Sequence, residues 1–171
     1  MRAALRQLVE RQHSLIAVLT AWLVLTSPWV SMLRRVPSDA GFFNSAHVWL
    51  GIATLVASLG YLVHCTRSGR WRLYFPWIGG RFETIATDAR GLLRGRIPSA
   101  EGGGLFGTLE GLTLVALFAT GATGFGWLLT QGAGEALTWR DLHIVSARVL
   151  IAFAILHVVS VSLHVVDFVR D

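Results

Sequence analysis

The chain has 171 residues, of which 53% are hydrophobic and 15% are charged, and its formal net charge is +5. A soluble domain carries about 25% charged residues, so this composition excludes an ordinary soluble protein and favours an integral-membrane one. All fifteen basic residues are arginines that cluster between apolar stretches, which is typical of a membrane topology signal rather than of nucleic-acid binding. The single cysteine, Cys65, excludes an internal disulfide.

Four apolar stretches are long enough to cross a bilayer as helices. The predicted spans are about 14–33, 46–66, 105–130 and 142–168. Arginines precede the first stretch, as in a signal peptide, but it is too long and no small-x-small cleavage site follows, so we interpret it as a retained helix. Together the spans predict an all-α fold, a transmembrane four-helix bundle that forms one integral-membrane domain over residues 1–171.

A further helix is predicted between the second and third spans. Apolar residues recur there at helical spacing from Phe82 to Leu93, with charged residues between them. This pattern predicts an amphipathic helix that lies on the cytoplasmic membrane surface. A loop helix packed on the ends of the bundle is the alternative.

The arginines also predict the orientation of the chain. Ten of them precede the first span or lie between the second and third spans, whereas the opposite side has only Arg34, Arg35 and Arg140. The positive-inside rule then places both termini and the long loop in the cytoplasm.

Four histidines, His13, His47, His143 and His157, lie near the ends of these spans in two depth layers. An ionisable side chain inside a membrane segment is costly and marks a functional site. His143 and His157 are fourteen residues apart. That spacing is within about 40° of a whole number of turns and corresponds to about 21 Å along a helix. Both imidazoles therefore project from one face near opposite membrane edges, as a pair of haems stacked across a membrane would require.

The predicted depths of these histidines in the membrane group them into two pairs. Haem iron in electron-transfer cytochromes takes two axial ligands, and two helices of a bundle can supply one each. His47 and His143 both lie at the outer side and can pair across an outer haem. His157 lies near the inner side and needs a partner at the inner end of another helix, a condition that His13 meets.

Two histidines and one arginine remain as further candidates. His64 competes for the inner position, although it lies about 100° round the helix from His47. His164 lies one further two-turn step inward from His157, at the membrane edge. Either can instead be an interfacial histidine bonded to solvent, a propionate or a headgroup. Arg148, inside the fourth span, is a candidate partner for a haem propionate, and a carboxylate could satisfy it as well.

The stretches that contain these histidines resemble a known family. They read RQHSLIAVLTAW in the first span, SAHVWLGI in the second and DLHIVSARVLIAFAILHVVSVSLH in the fourth. The loop stretch TDARGLLRGRIPSAEGG and the following ATGATGFGW are also similar to that family. The chain resembles the membrane cytochrome b subunits of nickel-iron hydrogenases and formate dehydrogenases, and their di-haem relatives, over nearly its whole length.

The resemblance implies an electron-transfer subunit of a bacterial cytoplasmic-membrane oxidoreductase complex, rather than a stand-alone catalyst. By position, it assigns His47 and His143 to an outer b haem and His13 and His157 to an inner one. It implies membrane lipid, a redox partner subunit or cytochrome, and quinone as partners, with electrons passing between the redox partner and the quinone pool. Relatives with a quinone pocket often have asparagine and glutamine before the third span, whereas this chain reads EGGGLFG from residue 101 and lacks those amides.

Three other classes of function fit the sequence less well. A free-standing oxidoreductase fed by a small diffusible donor would need a basic funnel on the outer side, where only three arginines are available. A cofactor-free transport or structural subunit would leave the four intramembrane histidines unexplained. A di-metal membrane enzyme needs histidines three or four residues apart, and the sequence has no such pair.

Overall fold

The computed structural model describes the backbone of residues 2–37, 39–98 and 103–170, and the side chains of residues 11–162 within those ranges. The described residues form six α-helices and no strand, so the predicted all-α class is confirmed. The helices are α1 (Arg2–Thr26), α2 (Phe42–Arg67), α3 (Trp71–Tyr74), α4 (Phe82–Leu92), α5 (Leu105–Leu129) and α6 (Ala136–Arg170).

Three of these helices, by length and composition, are able to cross a membrane. They are α2, α5 and the Ala136–Ser162 part of α6. Large apolar side chains on them are exposed, among them Trp49, Val56 and Val158. Such surfaces suit lipid contact, because lipid rather than water then surrounds the apolar groups. The chain is therefore a membrane protein, and a fourth crossing by α1 stays a prediction.

The helix in the first predicted span, 14–33, ends before the span does. Helix α1 stops at Thr26, and a short 3-10 helix, Ser27–Trp29, follows with Pro28 in its first turn. Proline has no N–H to continue the hydrogen-bond ladder, and Val30 is already extended. Hydropathy continues through these residues, which is why the sequence pattern overestimates the helix.

The loop between α2 and α5 contains two helices. Helix α4 confirms that the amphipathic stretch is helical, while its location on the cytoplasmic membrane surface stays a prediction. Helix α3 is a single turn that the apolar pattern did not predict.

The chain divides into two compact units, Met1–His64 with Leu117–Arg148, and Cys65–Ala116 with Val149–Asp171. In the first unit, glycines let helices approach closely. An ideal Cβ at Gly121 would lie 2.7 Å from Leu55 Cδ1, and one at Gly126 would lie 2.6 Å from Trp139 Cε3. Small residues serve this purpose in membrane helix pairs, where close packing replaces the hydrophobic effect.

The loop after α1 is held against the C-terminal end of α5. The Trp127 indole Nε1 donates to Leu33 O at 2.9 Å, and the backbone N of Gly132 donates to Arg34 O at 3.0 Å. The backbone N of Val36 donates to the Gln131 side chain at 2.8 Å. Backbone groups of this loop, which belong to no helix, are thereby hydrogen-bonded within this unit.

In the second unit, α5 begins against α3 and α4. Any Cβ at Gly107 or Gly111 would overlap the carbonyl oxygen of Leu73 or Tyr74, respectively, so α3 lies directly on the α5 backbone. The Asp88 carboxylate of α4 accepts a hydrogen bond from the backbone N of Leu105 at 2.9 Å. That carboxylate satisfies a free N–H at the start of α5 and complements the positive end of its dipole.

Candidate functional site

Two of the predicted histidines meet in the first unit. His47 comes from the second turn of α2 and His143 from the second turn of α6, and both side chains are half-buried. Their ring centroids are 6.3 Å apart and their planes are perpendicular. The sequence placed the two residues at one depth on different helices, and the structure brings their rings together.

The orientation of His143 is fixed by a backbone carbonyl. Its Nδ1 lies 2.9 Å from the carbonyl oxygen of Thr120 in α5, so Nδ1 carries the proton and donates it. A carbonyl oxygen inside a helix keeps a second lone pair for such a contact. With the proton on Nδ1, the Nε2 lone pair is left for a metal, as in most metal-bound histidines.

Gly124 makes this contact sterically feasible. An ideal Cβ at that position would lie 3.0 Å from both Nδ1 and Cε1 of His143. The glycine therefore opens the α5 backbone to the imidazole one turn beyond the carbonyl that accepts its proton. Nearby, the hydroxyls of Thr123 and Ser146 lie 3.1 Å apart and join the same two helices.

Among the described residues, His47 has a ring nitrogen without a hydrogen-bond partner, and open space lies beside it on α2. His47 Nδ1 is buried and has no hydrogen-bond partner among the described residues. Gly51 follows His47 by one helical turn, so it lies on the same face of α2, and a Cβ there would meet nothing within 4 Å. An unpartnered buried polar atom beside open space is expected where a group other than a side chain packs.

The spacing of the two imidazoles would allow both to bind one metal ion. A metal–imidazole bond is about 2 Å, so a centroid separation of 6.3 Å leaves room for one ion that both rings would hold. Among the described residues, no three His, Cys, Asp or Glu side chains gather as a bare metal ion would require. Haem iron needs only the two axial ligands from the protein, so this donor pair fits haem.

His13 lies elsewhere in the first unit, against α2. Its ring centroid is 5.8 Å from that of Tyr61. The neighbouring Gln12 donates its side-chain amide to Ala57 O at 2.8 Å. An ideal Cβ at Gly60 would lie 2.8 Å from the same Gln12 nitrogen, so a glycine again gives a side chain access to a helix carbonyl. Together these contacts fix α1 beside the C-terminal half of α2.

The remaining candidates are placed individually. His64 is half-buried on α2, and Arg148 is exposed on α6 without a carboxylate in ion-pair range among the described side chains. His157 is half-buried on α6 and belongs to the second unit, whereas His13 belongs to the first, so their pairing stays a prediction. The side chain of His164 lies outside the described residues.

Two contributors were missed by the sequence analysis, namely the Thr120 carbonyl and the Gln12 amide. A backbone acceptor has no residue signature, because every residue carries the same carbonyl. A glycine three or four positions after the acceptor on an apolar helix could have indicated an accessible carbonyl. Gly124 follows Thr120 in this way, and Gly60 follows Ala57.

Comparison with known proteins gives one finding. The family model described as prokaryotic cytochrome b561 matches residues 7–167, which is nearly the whole chain. No curated protein and no solved structure matches it.

Proposed function

The chain belongs to the prokaryotic cytochrome b561 family of membrane b-type cytochromes, which act in electron transfer, and we propose that it carries electrons across the bacterial cytoplasmic membrane with two b haems. The observation that carries this proposal is the pair of imidazoles, His47 and His143, at a centroid separation of 6.3 Å. Its electron partners would be a redox subunit or cytochrome on one side and the quinone pool on the other.

At the outer site, His47 and His143 would hold the iron from α2 and α6. A b haem supplies a one-electron carrier when bound there. The bond from His143 Nδ1 to Thr120 O holds that ring in one orientation and makes Nε2 the better donor. Gly51 would leave room for the macrocycle beside His47. Arg148, five residues after His143, would bind a propionate, because an isolated guanidinium inside a membrane span is costly.

At the inner site, we assign His157 and His13. Support comes from the helical phase of α2. Tyr61 follows His47 by fourteen residues, the same step that separates His143 from His157, so Tyr61 lies on the His47 face about 21 Å further along α2. The ring of His13 lies beside Tyr61. His64 lies three residues beyond Tyr61 and points about 60° away from it.

The arginine distribution supports cytoplasmic termini, a cytoplasmic location for α4 and a fourth crossing by α1. Quinone would bind beside the inner haem. The missing amides before α5 mean that any such pocket has to be built from other side chains.

The test of the proposed function is the haem content of the purified full-length protein. We expect a reduced b-type α band after dithionite and two haems per polypeptide by quantitative haem extraction. A single haem per chain would contradict the two-site proposal. Absence of the α band in protein that is folded by circular dichroism would refute haem binding altogether.

The open space at Gly51 gives a more local prediction. Gly51→Leu adds a side chain on the His47 face of α2, and we expect it to lower the outer haem content by at least half, because the added carbons would occupy the space for the macrocycle. The matched control is Ala53→Leu, which enlarges an exposed residue on a different face of the same helix. Normal haem content in Gly51→Leu would show that this space faces lipid.

A further inference from the structure

A basic pocket lies at the C-terminal end of α4, in the second unit. It has a volume of about 440 Å³, and its lining includes Arg90, Arg94 and Arg96. One carboxylate, that of Asp88, also lines it, and that group already accepts the backbone N–H at the start of α5. None of the three arginines has an ion-pair partner among the described side chains.

The backbone gathers these arginines through a specific turn. Gly95 has φ of 71°, a left-handed conformation that a residue with a side chain rarely adopts. The backbone N atoms of Arg94 and Arg96 both donate to Gly91 O, at 2.9 and 3.0 Å, which closes the end of the helix. The chain therefore reverses at Gly95, so that Arg94 and Arg96 line the same pocket as Arg90. Like charges held together in this way repel one another unless an anion lies between them.

The surroundings of the pocket suggest the nature of that anion. Leu93, directly before Arg94, is 89% exposed, and Leu92 is 47% exposed. Pro98 and Ile97 also line the pocket. Leu92 and Leu93 do not line the pocket, but they precede Arg94 directly in the chain, and guanidinium groups close in sequence to exposed leucines match a ligand with a phosphate and an acyl chain. Free phosphate would use the arginines alone.

We propose that this pocket binds the phosphate group of an anionic phospholipid, with the acyl chains lying along Leu92 and Leu93. Guanidinium groups suit phosphate because their planar donors can form paired hydrogen bonds to its oxygens. Basic pockets on the cytoplasmic side of membrane proteins bind anionic headgroups in this manner, so the inference rests on the cytoplasmic location of α4 in the proposed function. The bound lipid would hold the end of α4 at the bilayer surface.

The test uses the haem-loaded full-length protein in detergent, titrated with phosphatidylglycerol and followed by native mass spectrometry. Phosphatidylcholine and inorganic phosphate are the comparison probes. We expect Arg94→Gln/Arg96→Gln to weaken phosphatidylglycerol binding about thirtyfold, at about fivefold for each charge removed. The matched control is Arg34→Gln/Arg35→Gln, which removes two exposed arginines of the first unit and should leave the affinity unchanged.

A second variant separates a built pocket from surface charge. Arg94→Lys/Arg96→Lys keeps both charges but loses the planar donors, and we expect a loss of several-fold in affinity. Haem content and elution volume of each variant show whether it is folded. The proposal is overturned if the lysine variant binds as well as the original chain, if the control loses affinity equally, or if phosphatidylcholine binds as tightly. Inorganic phosphate that binds as tightly as the lipid would overturn the lipid assignment in favour of a free anion.

Discussion

Replacing His143 with alanine is expected to remove the outer haem, so that the purified protein retains one haem per chain instead of two. The imidazole is one of the two protein ligands at that site, and no other described histidine besides His47 lies beside it. His47→Ala should give the same loss, because an iron that kept only one of its two protein ligands would be held much less firmly. Quantitative haem extraction and the amplitude of the reduced α band measure both effects.

The control for this experiment lies on the same helix. Ser146→Ala removes the hydroxyl that lies 3.1 Å from the Thr123 hydroxyl, a contact worth about 0.6 kcal/mol between membrane helices. This substitution tests whether weaker packing between α5 and α6 is enough to release haem. We expect Ser146→Ala to keep both haems. Retention of two haems in His143→Ala would show that His143 is not an iron ligand, and the paired imidazoles would need another explanation.

Replacing His13 with alanine is expected to remove the inner haem, whereas replacing His64 should leave both haems in place. Two contacts favour His13. The Gln12 amide ties α1 to Ala57 O of α2, and the His13 ring lies beside Tyr61, on the same face of α2 as His47. His64 points to a different face. His157→Ala should reproduce the loss seen in His13→Ala, and the double variant should lose no more haem than either single one.

Combining each inner-site substitution with His143→Ala and measuring the extracted haem identifies which haem is lost. A protein with both His13→Ala and His143→Ala should contain essentially no haem, since the two substitutions act on different sites. Should His64→Ala lose a haem while His13→Ala keeps both, the inner pair would be His64 and His157. Tyr61→Phe is a useful companion, because it preserves the ring beside His13 and should preserve the haem.

Much of the fold follows from hydropathy and helical spacing. The stretches 46–66, 105–130 and 142–168 lie within or close to α2, α5 and α6, and the amphipathic pattern after Arg81 corresponds to α4. These elements were predictable because each has a long run of one periodicity. The end of α1 could not be predicted from hydropathy, because the sequence is apolar both before and after Pro28. Helix α3 was missed because a single turn is too short to show a period.

The candidate site was predictable only in part. Position along the predicted spans placed His47 and His143 at the same membrane depth, and the structure brings their rings together. The haem itself stays a proposal. The Thr120 carbonyl and the role of Gly124 could not be predicted, because they depend on which side of α5 faces α6. That orientation is set by packing among several helices, and glycine-rich α5 has apolar residues all round.

The two contacts between a side chain and a helix carbonyl, at Thr120 and at Ala57, also bear on how helix pairing responds to the solvent. Each uses a neutral acceptor that a glycine leaves accessible, and neither requires a pair of opposite charges. The ion pair recorded among the described residues, Arg140 with Asp141, joins neighbours on one helix and holds no two helices together. Because screening by mobile ions weakens charge pairs and leaves dipolar contacts nearly unchanged, the association of these helices should be indifferent to ionic strength.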